Sequence, residues 1–183
     1  ILGGTSSTSQ TAVYALKGTL YVARTGNDYD GGIVAIDFKN YKATFYGQQN
    51  INGKLTYNST IANRNSTSLG YVTQTPSLGL VDEDVNDVHA QVINGKTYVA
   101  VATDGGTSVI NETDGTVVDA GAYSGWTVTD LFLTQDGDLY FNHIQTAGTD
   151  DDNLYVFYSV HERGGDWSGV PNTDASATYI GTS

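Results

Sequence analysis

Apolar and polar residues alternate along this chain in short runs rather than at helical spacing. The runs are rich in Val, Ile, Thr and Tyr, and Asp-Gly, Asn-Gly or Gly-Gly pairs separate them. Such pairs supply the positive φ angles that tight hairpin turns demand, and β-branched and aromatic runs are typical of strands. Because apolar residues do not recur at a spacing of about 3.6, the pattern predicts an all-β protein.

The predicted strands fall into groups of four. Residues 9–47, 85–121 and 127–181 share one plan, which is clearest in the middle segment, with strands predicted at 85–92, 97–102, 107–110 and 116–120. The other two segments give strands at 11–16, 19–23, 33–38 and 43–46, and at 127–133, 139–144, 154–160 and 177–180. A unit of four antiparallel strands and about 40 residues is the sequence signature of a propeller blade.

Matching residues support this alignment. In each segment the first turn carries a Gly that is followed three residues later by a Tyr, in the pairs Gly18 and Tyr21, Gly95 and Tyr98, and Gly137 and Tyr140. On these residues the chain resembles β-propeller repeats of the loose WD40-like, quinoprotein-like and regulator-type kinds, without the Trp-Asp signature of true WD40 repeats. The resemblance implies a propeller-like array of four-stranded antiparallel blades in residues 1–183, as one domain or part of one. We therefore expect the three Tyr residues to occupy equivalent positions on second strands.

Residues 48–84 leave two interpretations open. The sequence Ile-Asn-Gly-Lys at 51–54 repeats at 93–96, which predicts a fourth, degenerate blade beside the three clear ones. The stretch from 58 to 79 is rich in Asn, Ser and Thr and has no acidic residue, which is equally compatible with a long exposed insertion.

The composition restricts where such a protein works. The chain has no Cys, which excludes disulfides and thiolate metal sites. It also has no Met, so we expect that Ile1 follows a removed leader or that the chain is a piece of a longer one. No stretch approaches the roughly 18 consecutive apolar residues that a membrane helix needs, so we expect no membrane insertion. An extracellular, cell-surface or virion-surface location is predicted.

The charge is unevenly distributed. The net charge of −12 argues against nucleic-acid partners, because phosphate contacts require a basic surface. Residues 1–81 carry a net +3 and residues 82–183 a net −15. This contrast fits a solubilising acidic surface, and it also fits head-to-tail self-association of opposite-charge halves. In the second case the acidic half would attract the cations of a neighbour, namely Lys39, Lys42, Lys54 and Arg64.

Closely spaced carboxylates are candidates for calcium binding, and no other cofactor is predicted. The candidate ligands are Asp28 and Asp30 in one loop and Asp82, Asp84 and Asn86 in another. The second loop matches the first three positions of an EF-hand, but the Gly and the bidentate Glu required later in that loop are absent. The alternative is turn chemistry, because Asp side chains favour turns by bonding to nearby backbone.

Two Trp residues are candidates for ligand binding by stacking on sugar rings. Trp126 leads directly into a predicted strand, so packing in a core or interface is the favoured interpretation. Trp167 lies in a Gly-rich loop and is the better ligand candidate. The three His residues are predicted to be isolated imidazoles rather than a metal triad.

No standard catalytic motif is present. We therefore favour a non-catalytic extracellular or surface module that binds or scaffolds, such as an adhesive, virion or filament component, with other protein subunits or further copies as partners. A glycan-binding or glycan-hydrolysing propeller is the alternative, and an enzyme remains open.

Overall fold

The computed structural model describes residues 8–26, 30–58, 73–120, 126–145, 153–166 and 177–180. Within these ranges the protein is all-β, in three antiparallel sheets, with one short 3₁₀ turn at Val160–Glu162. In the first two sheets, strands that follow one another in sequence pair with one another, so each is an up-and-down meander. In the third sheet the first two short strands both pair with the strand that follows them. The sheets do not close into a ring within this part of the chain.

The first sheet has six strands in sequence order: β1 (Ser9–Leu16), β2 (Thr19–Thr25), β3 (Gly32–Asp37), β4 (Lys42–Tyr46), β5 (Lys54–Asn58) and β6 (Thr73–Thr75). The second sheet has four: β7 (Val85–Ile93), β8 (Lys96–Thr103), β9 (Gly106–Asn111) and β10 (Thr116–Ala120). The third sheet contains β11 (Trp126–Thr127), β12 (Leu131–Leu133), β13 (Leu139–Gln145), β14 (Asn153–Phe157) and β15 (Ala177–Ile180), and both β11 and β12 pair with β13.

The hairpin turns form as the sequence predicts. Gly18 and Gly95 have φ angles of 86° and 80°, and Lys17 and Asn94 before them have 49° and 51°. Two successive residues with positive φ fit a type I′ turn, whose twist matches that of the strands it joins. The predicted four-stranded meanders are therefore confirmed at the level of strands and pairing.

One predicted strand, at 127–133, is broken in two. The side-chain Oδ1 of Asn142 accepts hydrogen bonds from the backbone N–H groups of Thr129 (3.1 Å) and Asp130 (2.8 Å). Because these two donors bond to a side chain, they are not available to a strand partner. The predicted single strand therefore becomes β11 and β12.

Residues 48–84 do not form a sheet of their own in the described ranges. The two strands seen in this segment, β5 and β6, add to the free edge of β4 and widen the first sheet. An edge strand presents unpaired backbone groups, so addition there satisfies them without a new core. The prediction of a separate fourth blade is therefore not met by these two strands, which belong to the first sheet. Residues 59–72 lie outside the described part of the chain.

The three sheets are stacked, with the second in the middle. One apolar core lies between the first and second sheets and includes Tyr21, Ile33, Val99, Val101 and Ile110. The other lies between the second and third sheets and includes Tyr98, Ala100, Leu139, Phe141 and Phe157. Alternate residues of β8 thus enter opposite cores, as the two-residue period of a strand requires.

The three repeat Tyr residues occupy equivalent places. Tyr21, Tyr98 and Tyr140 lie on the second strands of their sheets, and each is paired with the first and third strands. Tyr21 faces the second sheet and Tyr98 faces the third sheet. Tyr140 is next in sequence to Leu139 and Phe141, which face the second sheet, so it lies on the opposite face. The predicted place on the strand is therefore the same for all three, but the surroundings differ, because Tyr21 and Tyr98 are buried between sheets and Tyr140 is half-buried on an outer face.

Candidate functional site

A polar cleft of about 310 Å³ opens between the first sheet and the turn that follows β9. Its charged lining consists of Asp37, Lys42, Lys54 and Glu112. Hydroxyl groups come from Thr19, Thr44 and Thr56, and one wall is the ring of Tyr46.

Strand alternation places these side chains on one surface. In β4, Lys42, Thr44 and Tyr46 are two residues apart, so they share the face that is turned towards the second sheet. Across the ladder, Thr44 is paired with Thr56 and Tyr46 with Lys54. Short polar Thr side chains at these positions leave open the space that larger apolar side chains fill elsewhere between the two sheets.

Glu112 is the carboxylate that the second sheet contributes. Its Oε2 accepts a hydrogen bond of 2.6 Å from the hydroxyl of Tyr21, which is itself almost completely buried. Burial raises the pKa of Glu112, and the nearby charge of Asp37 adds to this, although the Tyr21 bond and Lys54 act in the opposite direction. Burial also raises the pKa of Tyr21, and the charge of Glu112 is the second cause. The hydroxyl therefore stays protonated and donates a hydrogen bond to the carboxylate.

The two Lys residues stand at different ends of the cleft. The ammonium of Lys54 lies 5.5 Å from the centroid of the Tyr46 ring, which is within the range of a cation–π interaction. Lys42 is paired in register with Asp37. In the described part of the chain neither ammonium lies within 4 Å of a carboxylate oxygen.

Asp37 is already engaged by its own turn. Oδ1 accepts from the backbone N–H groups of Lys39 (2.9 Å) and Asn40 (3.0 Å), and Oδ2 accepts from the side-chain amide of Asn40 (2.7 Å). Slight burial acts to raise the pKa of Asp37, but these bonds and the charge of Lys42 together hold it below its usual value. The Asp37 carboxylate is therefore ionised and structural.

The sequence did not identify this cleft. Its signals are weak: Tyr21 stands out only as a repeat residue, and Glu112 is one of 3 Glu residues in a chain with 17 Asp. Nothing in the sequence indicates that two residues 91 positions apart form a hydrogen bond.

The structure places the predicted ligand-binding Trp126 in a core. It is almost fully buried, its ring centroid lies 4.4 Å from that of His143, and Tyr155 is also close. Trp126 thus packs against other aromatic rings, and its role in ligand binding stays a prediction. Trp167 lies outside the described residues.

The candidate calcium ligands of the second loop make hydrogen bonds within the protein. Oδ1 of Asp82 accepts from the N–H of Asp84 (2.8 Å), and Oδ1 of Asp84 accepts from the N–H of Gly26 (3.1 Å). The amide of Asn86 donates to Asp104 Oδ1 and to the carbonyl of Val128, both at 2.9 Å. These bonds fix the loop between the sheets.

In the first candidate loop, Asp28 is outside the described residues. The backbone carbonyl of Asp30 accepts a hydrogen bond from the guanidinium of Arg24. Across the residues that the structure describes, no three His, Cys, Asp or Glu side chains are grouped so that they could hold a metal ion. Calcium binding stays a prediction.

The three His residues lie apart. His89 is in β7, His143 is in β13, and His161 is in the 3₁₀ turn. The ring of His89 stands between Tyr14 (4.4 Å between centroids) and Phe132 (4.6 Å), so one aromatic column joins β1, β7 and β12, the first strands of the three meanders.

Comparison with known protein families and with curated proteins finds no match for this chain. None of the helical structure in the described ranges has the length and apolar character needed to cross a membrane.

Proposed function

We propose that this chain is a non-catalytic, propeller-type module that works outside the cell or on a surface, and that copies of it associate head to tail. The observation that carries the proposal is a partly uncovered apolar face on the third sheet.

This face is made by the outward side chains of β12, β13 and β14, and it is uncovered in part: Val156, paired with Tyr140, is buried, and one side of the Phe132 ring packs against His89. Phe132, Ile144 and Leu154 are 54%, 41% and 40% exposed, and Tyr140 lies among them. Large apolar side chains grouped on one sheet face are costly to leave in water and mark interaction surfaces. We call this group the open face.

The internal repeat indicates which kind of structure packs against the open face. Tyr21 and Tyr98 mark the faces on which the first and second sheets carry the next sheet of the stack. Tyr140 marks the corresponding face of the third sheet. The expected occupant is therefore another β-sheet that presents aliphatic side chains.

A second copy offers such a surface on the outer side of its first sheet. This side carries Val13, which is 64% exposed, above a cluster of Val34, Phe45 and Leu55 that is buried within the chain itself. Pairing the open face with this side is a heterologous contact, which repeats from copy to copy. Pairing two open faces would instead bring together two copies of the segment that carries −15, so the charge contrast favours the head-to-tail arrangement.

In this proposal the net charges of the two halves guide association, and the individual cations named from the sequence do not form the contact. Lys42 and Lys54 line the cleft and face the second sheet, so they do not lie on the outer side of the first sheet. Lys39 lies in an exposed turn, and Arg64 is outside the described residues.

The aromatic column supports the propeller part of the proposal. In a propeller, the first strands of successive blades lie side by side around the axis. Tyr14, His89 and Phe132 bring the first strands of all three meanders into contact, and the N–H of Leu133 donates to Nδ1 of His89 at 3.4 Å.

The test is the association state of the protein measured by sedimentation velocity. We expect Ile144→Asp to reduce association, because a charge on the open face would be buried without a partner. Val13→Asp should do the same, because it alters the opposite side of the contact. Phe38→Asp is the matched control, since Phe38 is 52% exposed but lies in the β3–β4 turn.

Mixing the two variants separates the alternatives. In a head-to-tail contact each variant keeps one intact surface, so an equimolar mixture of Ile144→Asp and Val13→Asp should form one-to-one dimers and nothing larger. If Val13→Asp associates as the unmodified chain does while Ile144→Asp does not, two open faces pair and the head-to-tail arrangement is wrong. A monomeric unmodified chain at low salt and high concentration overturns the proposal.

A further inference from the structure

The cleft between the first two sheets offers more hydrogen-bond donors than acceptors. Lys42 and Lys54 each present an ammonium that is not in an ion pair with a described residue. On the acceptor side, both Asp37 oxygens are used by residues 39 and 40. The Glu112 carboxylate accepts one described bond, from Tyr21 to Oε2, which leaves Oε1 as an acceptor. The lining carries two ammonium groups and two carboxylates, so it has no net charge. A ligand that complements it is rich in acceptors, and an anionic group on the ligand pairs with Lys42, because both oxygens of the Asp37 carboxylate already accept bonds from its own turn.

The floor of the cleft indicates that the ligand also carries hydroxyl groups. Thr44 and Thr56 are directly opposite each other on β4 and β5, and their hydroxyls can both donate and accept. Lys54 and Glu112 both line the cleft, and the charge of Lys54 acts on the Glu112 carboxylate. An ammonium and a carboxylate can together bind a pair of neighbouring hydroxyls. The ammonium donates to one oxygen, and the carboxylate accepts from the other hydroxyl.

Size and spacing fit one small ligand. The volume of 310 Å³ is near the lower end of the range of about 300–1,000 Å³ for small-molecule sites. Along β4, Lys42 lies four residues from the position opposite Lys54, which corresponds to about 13 Å between the backbone positions of the two ends. Because both Lys side chains are flexible, their ammonium groups can close on a ligand shorter than this.

We propose that this cleft binds an acidic sugar unit, with its hydroxyls between Lys54 and Glu112 and its anionic group at Lys42. Binding at this site is independent of the association of copies, because the lining residues do not belong to the open face.

The test uses two probes that differ in one group, methyl β-D-glucuronide and methyl β-D-glucoside, in titrations followed by ¹H–¹⁵N NMR. We expect the glucuronide to shift the amide resonances of Thr44, Thr56 and Glu112 in a saturable way. The glucoside, which has CH₂OH in place of the carboxylate, should bind at least about tenfold more weakly.

Variants assign the roles within the cleft. Lys42→Met should lower glucuronide affinity about tenfold and leave the weak glucoside binding unchanged. Glu112→Gln should weaken both sugars by a similar factor, because it changes the group that accepts from the hydroxyls. Lys39→Met is the matched control and should bind as the unmodified chain does, since Lys39 lies in the neighbouring turn outside the lining. An unchanged dispersion of the remaining resonances shows that each variant is folded.

Three results would overturn the proposal. The first is an absence of saturable shifts at the cleft resonances with either sugar. The second is equal affinity for the two sugars, because the anionic group would then have no role. The third is displacement of the glucuronide by sodium sulfate at matched concentration, because the cleft would then be an anion site without recognition of the sugar.

Discussion

The second and third sheets have related sequences but different surroundings. In the second sheet, every residue from 98 to 103 in β8 and every residue of β9 is buried, because another sheet covers each face. In the third sheet, β12 alternates between buried Leu131 and Leu133 and exposed Phe132. Burial along a strand therefore depends on how many sheets pack against it, and not only on which residues the strand contains.

The second and third sheets also differ in the size of the side chains that they bring to their common core. The second sheet contributes Ala100 and Ala102 to the core that it shares with the third sheet. The third sheet contributes Phe141 and Phe157, whose ring centroids are 5.0 Å apart. Small side chains on a central layer and large ones on the layer that packs against it fill the space between two sheets at the density of a protein interior. On the open face Val156 is buried, but Phe132, Ile144 and Leu154 stay 40–54% exposed.

The largest expected effect comes from removing the same side chain on the two faces of the third sheet. Leu139→Ala should lower the free energy of unfolding by about 2–5 kcal/mol, because Leu139 is fully buried in the core against the second sheet. Leu154→Ala, on the open face, should cost below about 1 kcal/mol. Urea denaturation at a concentration where the protein is monomeric measures both. Equal losses would contradict the assignment of covered and open faces.

A second expected effect concerns a carboxylate within the covered region. Asp119 on β10 is buried, and burial raises its pKa to about 6, although the hydroxyl of Ser108 donates to it at 2.6 Å. Its pKa in the unfolded chain is lower, so the native state holds the proton more tightly. Stability should therefore decrease as the pH rises from about 4 to 6 and stay at the lower level above that range.

Asp119→Asn tests this directly. The neutral amide removes the cost of ionising a buried group, which at pH 7 is at most about 3 kcal/mol from the difference in pKa. We expect the variant to be more stable than the unmodified chain at pH 7 and equal to it near pH 4. Asp130→Asn is the control, because Asp130 is exposed. A variant that is less stable at pH 7 would show that the carboxylate is required for the Ser108 bond.

The smallest expected effect comes from comparing a glycine in a hairpin turn of the second sheet with a glycine in a loop after the third sheet's β14. Gly95→Ala should cost about 1–2 kcal/mol, because its φ of 80° is in the left-handed region, while open space surrounds the position that a Cβ would take. Gly164→Ala meets equally open space without a positive φ and should be close to neutral. Thermal unfolding of both variants checks this, and a neutral Gly95→Ala would contradict the type I′ turn.

A repeated tetrapeptide shows where sequence-based prediction stops. At 93–96, Ile-Asn-Gly-Lys forms a two-residue hairpin turn, and Ile93 is buried in the core between the second and third sheets. At 51–54, the first three of the same four residues lie in the longer connection from β4 to β5, Lys54 begins β5, and Ile51 is 43% exposed. The identical local sequence therefore forms a two-residue hairpin turn at only one of the two places.

The candidate site was less predictable than the fold. Trp126 could be assigned to a core because it adjoins a strand. The cleft could not be found, because it depends on Tyr21 and Glu112, which come from different sheets and meet through the packing of those sheets.

Most strands, the turn glycines and most pairings of consecutive strands could be predicted from the sequence, because they follow from local alternation and from the φ angles that each residue permits. The packing of the sheets was needed to know which faces are covered, where residues 54–58 and 73–75 add to a sheet, why 127–133 is two strands, and how Lys54 and Glu112 come to share a cleft. The reason is that a strand's period of two divides its residues between two faces but does not say which face meets another sheet.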